Sequence, residues 1–132
     1  MSVVAFNHFN IRAPRELLEA VRSFYADVIG LREGFRPDFD VPGYWLYLGD
    51  LPVLHLMEWS DEKYGQPPPV TQGYIDHVAF SCEDLDGFIN KLESHPVEFK
   101  RRDFSLPQGG GFTQLFTRDP AGNGVELNFA HE

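Results

Sequence analysis

The segment Val53-Leu54-His55-Leu56, near the middle of the chain, has a counterpart in Gly124-Val125-Glu126-Leu127, near its end. In both, apolar residues alternate with a side chain that can bind a metal, which is typical of a strand with one buried face. His8 precedes His55 by 47 residues, and His77 precedes Glu126 by 49. The chain therefore resembles two copies of one unit, with candidate metal ligands at equivalent places.

The residue patterns of the two halves predict the same order of elements, namely a strand, a helix and three further strands. Pro14 suits the first turn of the first helix and Gly30 suits its end. The second helix opens on acidic residues and stops before Pro96. The fold class is α+β, with two β-α-β-β-β modules. The predicted strands are 3–12, 31–36, 44–48, 52–59, 74–82, 97–102, 111–117 and 124–130, and the predicted helices are 14–28 and 83–93.

A connector separates the halves. Pro67, Pro68 and Pro69 cannot continue a helix or a central strand, and they favour an extended, stiff chain. This predicts module one at about 1–60, a linker at about 61–73 and module two at about 74–132, all within one domain.

Composition excludes several classes of protein. The net charge of -9 argues against a nucleic-acid partner, which requires clustered Lys and Arg. No apolar run is long enough to span a bilayer, and the N-terminal segment lacks the charged-then-apolar pattern expected of a secretory signal. The single cysteine, Cys82, is typical of a reducing compartment. We expect a cytoplasmic protein with a small-molecule substrate and without nucleic-acid or membrane partners.

Strand parity selects among the candidate ligands, because side chains two residues apart share one face of a strand. His55 lies on the face opposite Leu54 and Leu56, whereas Glu58, three residues on, points to the other side. His55 is therefore preferred to Glu58. Side chains on the same faces as the candidate ligands are candidates for substrate binding: Asn10 and Arg12 with His8, Trp59 with His55, and Asn128 with Glu126.

Neutral imidazole and carboxylate groups suit one divalent ion among Zn, Ni, Co, Fe and Mn, and the set His8, His55, His77 and Glu126 does not choose among them. A bound ion acts as a Lewis acid on a substrate oxygen. A lone strand histidine is more often structural than a ligand. Three His and one Glu at matched repeat positions are harder to explain by chance.

Four stretches carry a resemblance to a known family. They are Asn7-His8-Phe9, Phe24-Tyr25-Ala26-Asp27-Val28-Ile29-Gly30-Leu31, Asp76-His77-Val78-Ala79-Phe80, and the run from Phe116 to Glu126. Together, in this order, they resemble the vicinal-oxygen-chelate superfamily of glyoxalases, bleomycin resistance proteins and extradiol dioxygenases, over essentially the whole chain. The resemblance implies that the modules pair into one curved mixed sheet around a metal, with helices outside, usually in a homodimer.

The resemblance also implies roles for single residues. Relatives of the lactoylglutathione lyase type fill all four ligand positions and place a glutathione-contacting arginine where Arg12 stands. Their fourth-strand ligand is usually Glu, so His55 serves either as a ligand or as an acid-base group beside Glu126, the expected base. The implied activity is a lyase or isomerase reaction through an enediolate-type intermediate.

Two alternatives stay open at this point. An extradiol ring-cleaving dioxygenase would share His8, His77 and Glu126, although such enzymes have Tyr where Phe116 stands and a His shortly before it. A metal-free drug-binding protein of the bleomycin-resistance type would sequester its ligand in an aromatic groove. The ligand set favours an enzyme over the binding protein, because sequestering relatives generally lack those residues.

Overall fold

A computed structural model describes residues 1–131 and divides the chain into two compact units, with the boundary between Pro69 and Val70. This boundary lies at the end of the proline run that was predicted to connect the two modules. None of the helices within residues 1–131 has the length and apolar character needed to cross a bilayer.

The first unit contains one four-stranded sheet in the order β1-β4-β3-β2. β1 runs parallel to β4, and the other neighbours are antiparallel. The strand predicted at 3–12 begins only at Phe9, and the predicted strand at 31–36 is shortened to three residues. The elements are β1 (Phe9–Ala13), α1 (Arg15–Ser23), β2 (Arg32–Gly34), β3 (Gly43–Leu48), β4 (Leu51–Glu58) and α2 (Asp61–Tyr64).

The helix predicted at 14–28 has two parts. The α-helix α1 continues as a wider π-helix over Phe24–Ile29. Pro14 immediately precedes the first helical residue. Gly30 ends the helix at a φ of 98°, a left-handed conformation that glycine adopts without steric cost. The one-turn helix α2 was not predicted; the Ser60 side chain caps it by accepting from the backbone N–H of Lys63 at 3.2 Å.

The second unit repeats the topology of the first. Its sheet has the order β5-β8-β7-β6, with β5 parallel to β8 and the other pairs antiparallel. Asp84 caps α3 by accepting from the backbone N–H of Gly87 at 3.1 Å, so this helix starts two residues after its predicted start. The elements are β5 (His77–Ser81), α3 (Leu85–Ser94), β6 (Lys100–Ser105), β7 (Gly111–Arg118) and β8 (Gly124–His131).

The apolar residues that parity assigns to the core are buried in both units. Leu54 and Leu56 on β4 are fully buried, and His55 between them is only half-buried. Val125 and Leu127 on β8 are likewise fully buried on either side of Glu126. The α+β prediction of two repeated modules is thus confirmed as two four-stranded mixed sheets, and the pairing of these sheets around a metal stays a prediction.

Candidate metal centre

The second unit brings two predicted ligands together. β5 and β8 are parallel neighbours, with His77 opposite Gly124 and Ala79 opposite Glu126. The His77 side chain reaches along this pair, so that Nε2 lies 3.3 Å from Glu126 Oε1. An imidazole nitrogen and a carboxylate oxygen at this spacing can bind the same ion. We call His77 and Glu126 the second-unit pair.

Asp76 orients the His77 ring. Its Oδ2 lies 2.8 Å from His77 Nδ1, so that Nδ1 donates to the carboxylate. In the tautomer with the proton on Nδ1, Nε2, the nitrogen beside Glu126, carries the lone pair that a metal ion would use. Metal-binding histidines usually donate their second ring nitrogen to a carboxylate or carbonyl in this way, which fixes the tautomer and raises the basicity of the ligating nitrogen.

Two amides hold the Glu126 carboxylate, which is buried. Gln114 on β7 donates to Oε1 at 2.9 Å, and Asn128 donates to Oε2 at 3.0 Å. Phe116 packs edge-on against His77, with ring centroids 5.7 Å apart. Asn128, predicted to bind substrate, therefore contacts the predicted base itself, and both carboxylate oxygens are fixed in position.

The first unit stacks its two predicted ligands. The His8 and His55 rings lie 3.7 Å apart at an angle of 11°, and Trp45 covers the His55 ring at 4.1 Å. We call Trp45, His55 and His8 the histidine stack. A ring nitrogen binds a metal in the plane of its ring, so two parallel rings do not direct their nitrogens at one ion. His8 is exposed before β1, where its Nδ1 contacts the Asn7 side chain at 2.7 Å.

His55 has the properties of a neutral nitrogen ligand. Burial lowers the pKa of His55, and the nearby His8 lowers it further, so the uncharged imidazole is favoured at neutral pH. Its Nε2 is buried without a hydrogen-bond partner among residues 1–131. A buried polar atom without a partner is uncommon in proteins, and a metal ion or a substrate hydroxyl would satisfy it. The donor set therefore fits a divalent ion.

Glu58 lies where parity places it, away from the histidine stack. It binds Arg15 at the start of α1 through two hydrogen bonds, of 3.1 and 2.9 Å. This ion pair explains why a carboxylate close to His55 in sequence is not available to it.

Of the remaining predicted substrate-binding residues, two contact the segment after β4. The Arg12 guanidinium lies over the Tyr64 ring, 4.3 Å from its centroid. Trp59 donates to the Gly65 carbonyl at 2.9 Å and packs against the same tyrosine. Asn10 is exposed and directly opposite His55 in the β1–β4 register. Arg12 and Trp59 thus share a partner, α2, that the sequence did not predict.

The four predicted ligands consequently form two pairs, one in each unit. No group of three or more His, Cys, Asp or Glu side chains with the geometry of a metal site occurs within residues 1–131. Sequence reasoning missed the supporting residues Asp76, Gln114 and Trp45. Asp76 was detectable, since it adjoins His77, whereas Gln114 required knowledge of the strand register.

The contact between Asp76 and His77 leads to a prediction about divalent-metal affinity. Asp76→Asn keeps an acceptor for His77 Nδ1 and removes the negative charge, so divalent-metal affinity should fall roughly 10–100-fold. Isothermal titration of metal-free protein measures this change. Asp86→Asn, an exposed substitution in the first turn of α3, is the matched control and should leave affinity unchanged. Equal metal affinities of Asp76→Asn and Asp86→Asn would show that Asp76 does not contribute to the metal centre.

Comparison with known protein families identifies the superfamily of this chain. A family model described as the Glyoxalase/Bleomycin resistance protein/Dioxygenase superfamily matches residues 5–127. The chain belongs to this superfamily. Its description covers enzymes as well as resistance proteins, so membership alone does not fix a reaction. A search of curated proteins found no match.

Solved structures share the fold at low sequence identity. A lactoylglutathione lyase from Agrobacterium tumefaciens is 21% identical with a TM-score of 0.61, covering 97% of this chain and 95% of its own. TnmS3, an antibiotic binding protein from Streptomyces sp. CB03234, is 20% identical with a TM-score of 0.66 and 98% coverage of both chains. A variant of the fosfomycin resistance protein FosX from Listeria monocytogenes, complexed with Mn(II) and 1S,2S-dihydroxypropylphosphonic acid, is 15% identical with a TM-score of 0.70, covering 97% and 93%.

Proposed function

We propose that this superfamily member is a metal-dependent enzyme that moves a proton on a small oxygenated substrate. The observation that carries the proposal is the second-unit pair, in which His77 Nε2 lies 3.3 Å from Glu126 Oε1 and Asp76 fixes the other ring nitrogen. The FosX variant, which shares the fold, was solved as a complex with Mn(II), and this supports metal binding as a property of the proposed enzyme.

His77 and Glu126 would hold one divalent ion of the group Zn, Ni, Co, Fe and Mn. The resemblance to lyases that fill all four ligand positions implies that His8 and His55 complete the set. When bound, the ion supplies Lewis-acid polarisation of a substrate oxygen. The donors are compatible with several metals, because neutral nitrogen and carboxylate oxygen suit all of these ions.

The chain's own residues supply the proton transfer. Gln114 and Asn128 hold the Glu126 carboxylate in one orientation, so its lone pairs are preorganised for a proton at carbon or oxygen. His55, kept neutral by burial, can accept a proton at Nε2 when it is not a ligand. A lyase or isomerase of the lactoylglutathione lyase type needs such a base, and the lyase from Agrobacterium tumefaciens shares the fold.

A second candidate function rests on the histidine stack. Trp45, His55 and His8 form a row of parallel rings, which is a surface suited to a planar aromatic ligand. TnmS3 is described as an antibiotic binding protein of the same fold. In this function, a planar antibiotic would bind metal-free protein in a calorimetric titration, and Trp45→Leu would weaken that binding. Unchanged affinity in this variant would show that the histidine stack does not bind the ligand.

We further propose a homodimer as the working form. Exposed apolar side chains precede both β1 and β5: Val3, Val4 and Phe6 in the first unit, and Tyr74 and Ile75 in the second. Exposed apolar residues in such numbers are typical of a surface covered by a partner. Sedimentation equilibrium should give twice the chain mass of 15.1 kDa at micromolar concentration. A monomer mass under these conditions would contradict the dimer.

Metal removal tests the enzyme function. Chelated protein should be inactive in a screen with methylglyoxal hemithioacetal and catechols, and activity on one of these substrates should return with one of the five ions. Turnover of the hemithioacetal supports the lyase type, and oxygen-dependent turnover of a catechol supports ring cleavage. Activity that survives complete metal removal would overturn the proposal.

A further inference from the structure

A cavity of about 330 Å³ lies in the first unit, between the start of α1, the segment 36–43 and the adjoining ends of β3 and β4. Its volume is within the range of small-molecule sites. Neither His8 nor His55 lines it, and the proposed reaction does not use it. We call it the Arg36 cavity, after the residue that distinguishes it.

Three of the six charged side chains in the wall are already paired. Arg15 and Glu58 bind each other through two hydrogen bonds. Glu19 accepts from the Tyr44 hydroxyl and pairs with Arg22 at 2.9 Å. These side chains shape the cavity, and their polar atoms need no ligand.

Arg36 differs from them. Its Nε is buried and has no hydrogen-bond partner among residues 1–131. The guanidinium stacks over the Phe39 ring, 4.8 Å from the centroid, and this contact fixes the plane of the group without occupying its N–H donors. A buried N–H without an acceptor is destabilising, so the site lacks a hydrogen-bond acceptor.

Gly43 makes room for this arrangement. A Cβ at position 43 would lie 3.0 Å from Arg36 Nη2 and 3.1 Å from Cζ, and would collide with the Leu56 carbonyl oxygen. Any larger residue would therefore displace the guanidinium. Arg36 therefore lies between the backbone of Gly43 and the Phe39 ring.

We propose that the Arg36 cavity binds a small molecule bearing an oxyanion, a carboxylate or a phosphate, whose oxygens accept hydrogen bonds from the Nε and Nη2 edge of Arg36. A planar guanidinium matches two oxygens of one anionic group, which gives both strength and direction to the contact.

The rest of the wall selects between these two anions. Asp38 and Asp40 are exposed and line the same cavity, so their negative charges repel a dianion more than a monoanion. Phe39 and Tyr44 add aromatic surface. A monocarboxylate with an apolar body fits this wall better than a phosphate ester does.

Side-chain NMR of the full chain tests the proposal, with the Arg36 Nε–H resonance as reporter. Benzoate, phenyl phosphate and benzylamine share a ring and differ in charge. Benzoate should shift the resonance saturably and bind more tightly than phenyl phosphate. Tighter binding of phenyl phosphate than of benzoate would support an oxyanion site that prefers phosphates. Binding of benzylamine alone, or of none of the three, would overturn the proposal.

Variants assign the binding to Arg36. Arg36→Gln should weaken benzoate binding by about tenfold or more. Arg36→Lys should also weaken it, because lysine keeps the positive charge but lacks the two adjacent N–H donors of the guanidinium. For these variants the backbone amide of Gly43 is the reporter. Arg32→Gln, an exposed arginine on β2, is the control. Unchanged affinity in both Arg36 variants, with native circular dichroism, would contradict the proposal. The titration uses metal-free protein and measures no turnover, so its outcome is distinguishable from a failure of the proposed enzyme function.

Discussion

Glu126→Gln is expected to retain the fold and to lower turnover by about 10²–10⁴-fold, the usual contribution of a general base. The amide of glutamine has the shape of the carboxylate and still accepts a hydrogen bond from Gln114 or Asn128. It cannot accept the substrate proton at neutral pH, and it is a poorer metal ligand. Initial rates with the substrate found in the metal-dependent screen measure the effect at saturating metal.

The control for this substitution is Glu93→Gln, an exposed position near the end of α3. It removes the same charge from the same unit and should leave turnover unchanged. If Glu126→Gln retained more than about a tenth of the native turnover at full metal occupancy, Glu126 would not be the base. The second-unit pair would then be a metal-binding element only.

His77→Ala should weaken divalent-metal binding by more than the roughly 10–100-fold typical of changes around a metal ligand, because it removes a donor atom itself. The substitution also leaves Asp76 and Glu126 without the ring that separates them, so two carboxylates face each other across a gap. Competition with a chromophoric chelator measures the affinity, and the same loss should be seen with every ion that the native protein binds.

His131→Ala provides the matched histidine control. His131 is exposed at the end of β8 in the same unit, where its Nε2 lies 3.3 Å from Thr113 Oγ1. Its removal should leave metal affinity within about twofold of the native value, a change well below 1 kcal/mol. Similar losses in the two variants would indicate nonspecific binding to surface histidines and would contradict the assignment of His77.

The order of helices and strands was predictable because it depends on patterns in neighbouring residues of the sequence. Alternation around Leu54 and Leu56 separates the buried face of β4 from the face that carries His55, and the same pattern recurs around Glu126. Gly30 marks the end of the first helix through its left-handed backbone, a local property of one residue. Boundaries were less predictable: the apolar segment before Phe9 continues the alternation of β1 but does not join the sheet.

The details of the site were not predictable in the same way. Parity assigns a side chain to a face and says nothing of its rotamer, so it could not predict that His8 and His55 stack in parallel. Gln114 reaches Glu126 because β7 pairs with β8 in a particular register, which depends on contacts far apart in sequence. Arg36 acquires its unpartnered nitrogen from the path of the segment before β3, which no periodicity describes.

Calorimetric titration of metal-free native protein with Zn²⁺, Ni²⁺, Co²⁺, Fe²⁺ and Mn²⁺ tests the central claim most directly. The account predicts saturable binding of one ion per chain for at least one of these metals, weakened in both His77→Ala and Glu126→Gln. Absence of binding for all five ions, or binding that neither substitution weakens, would contradict it.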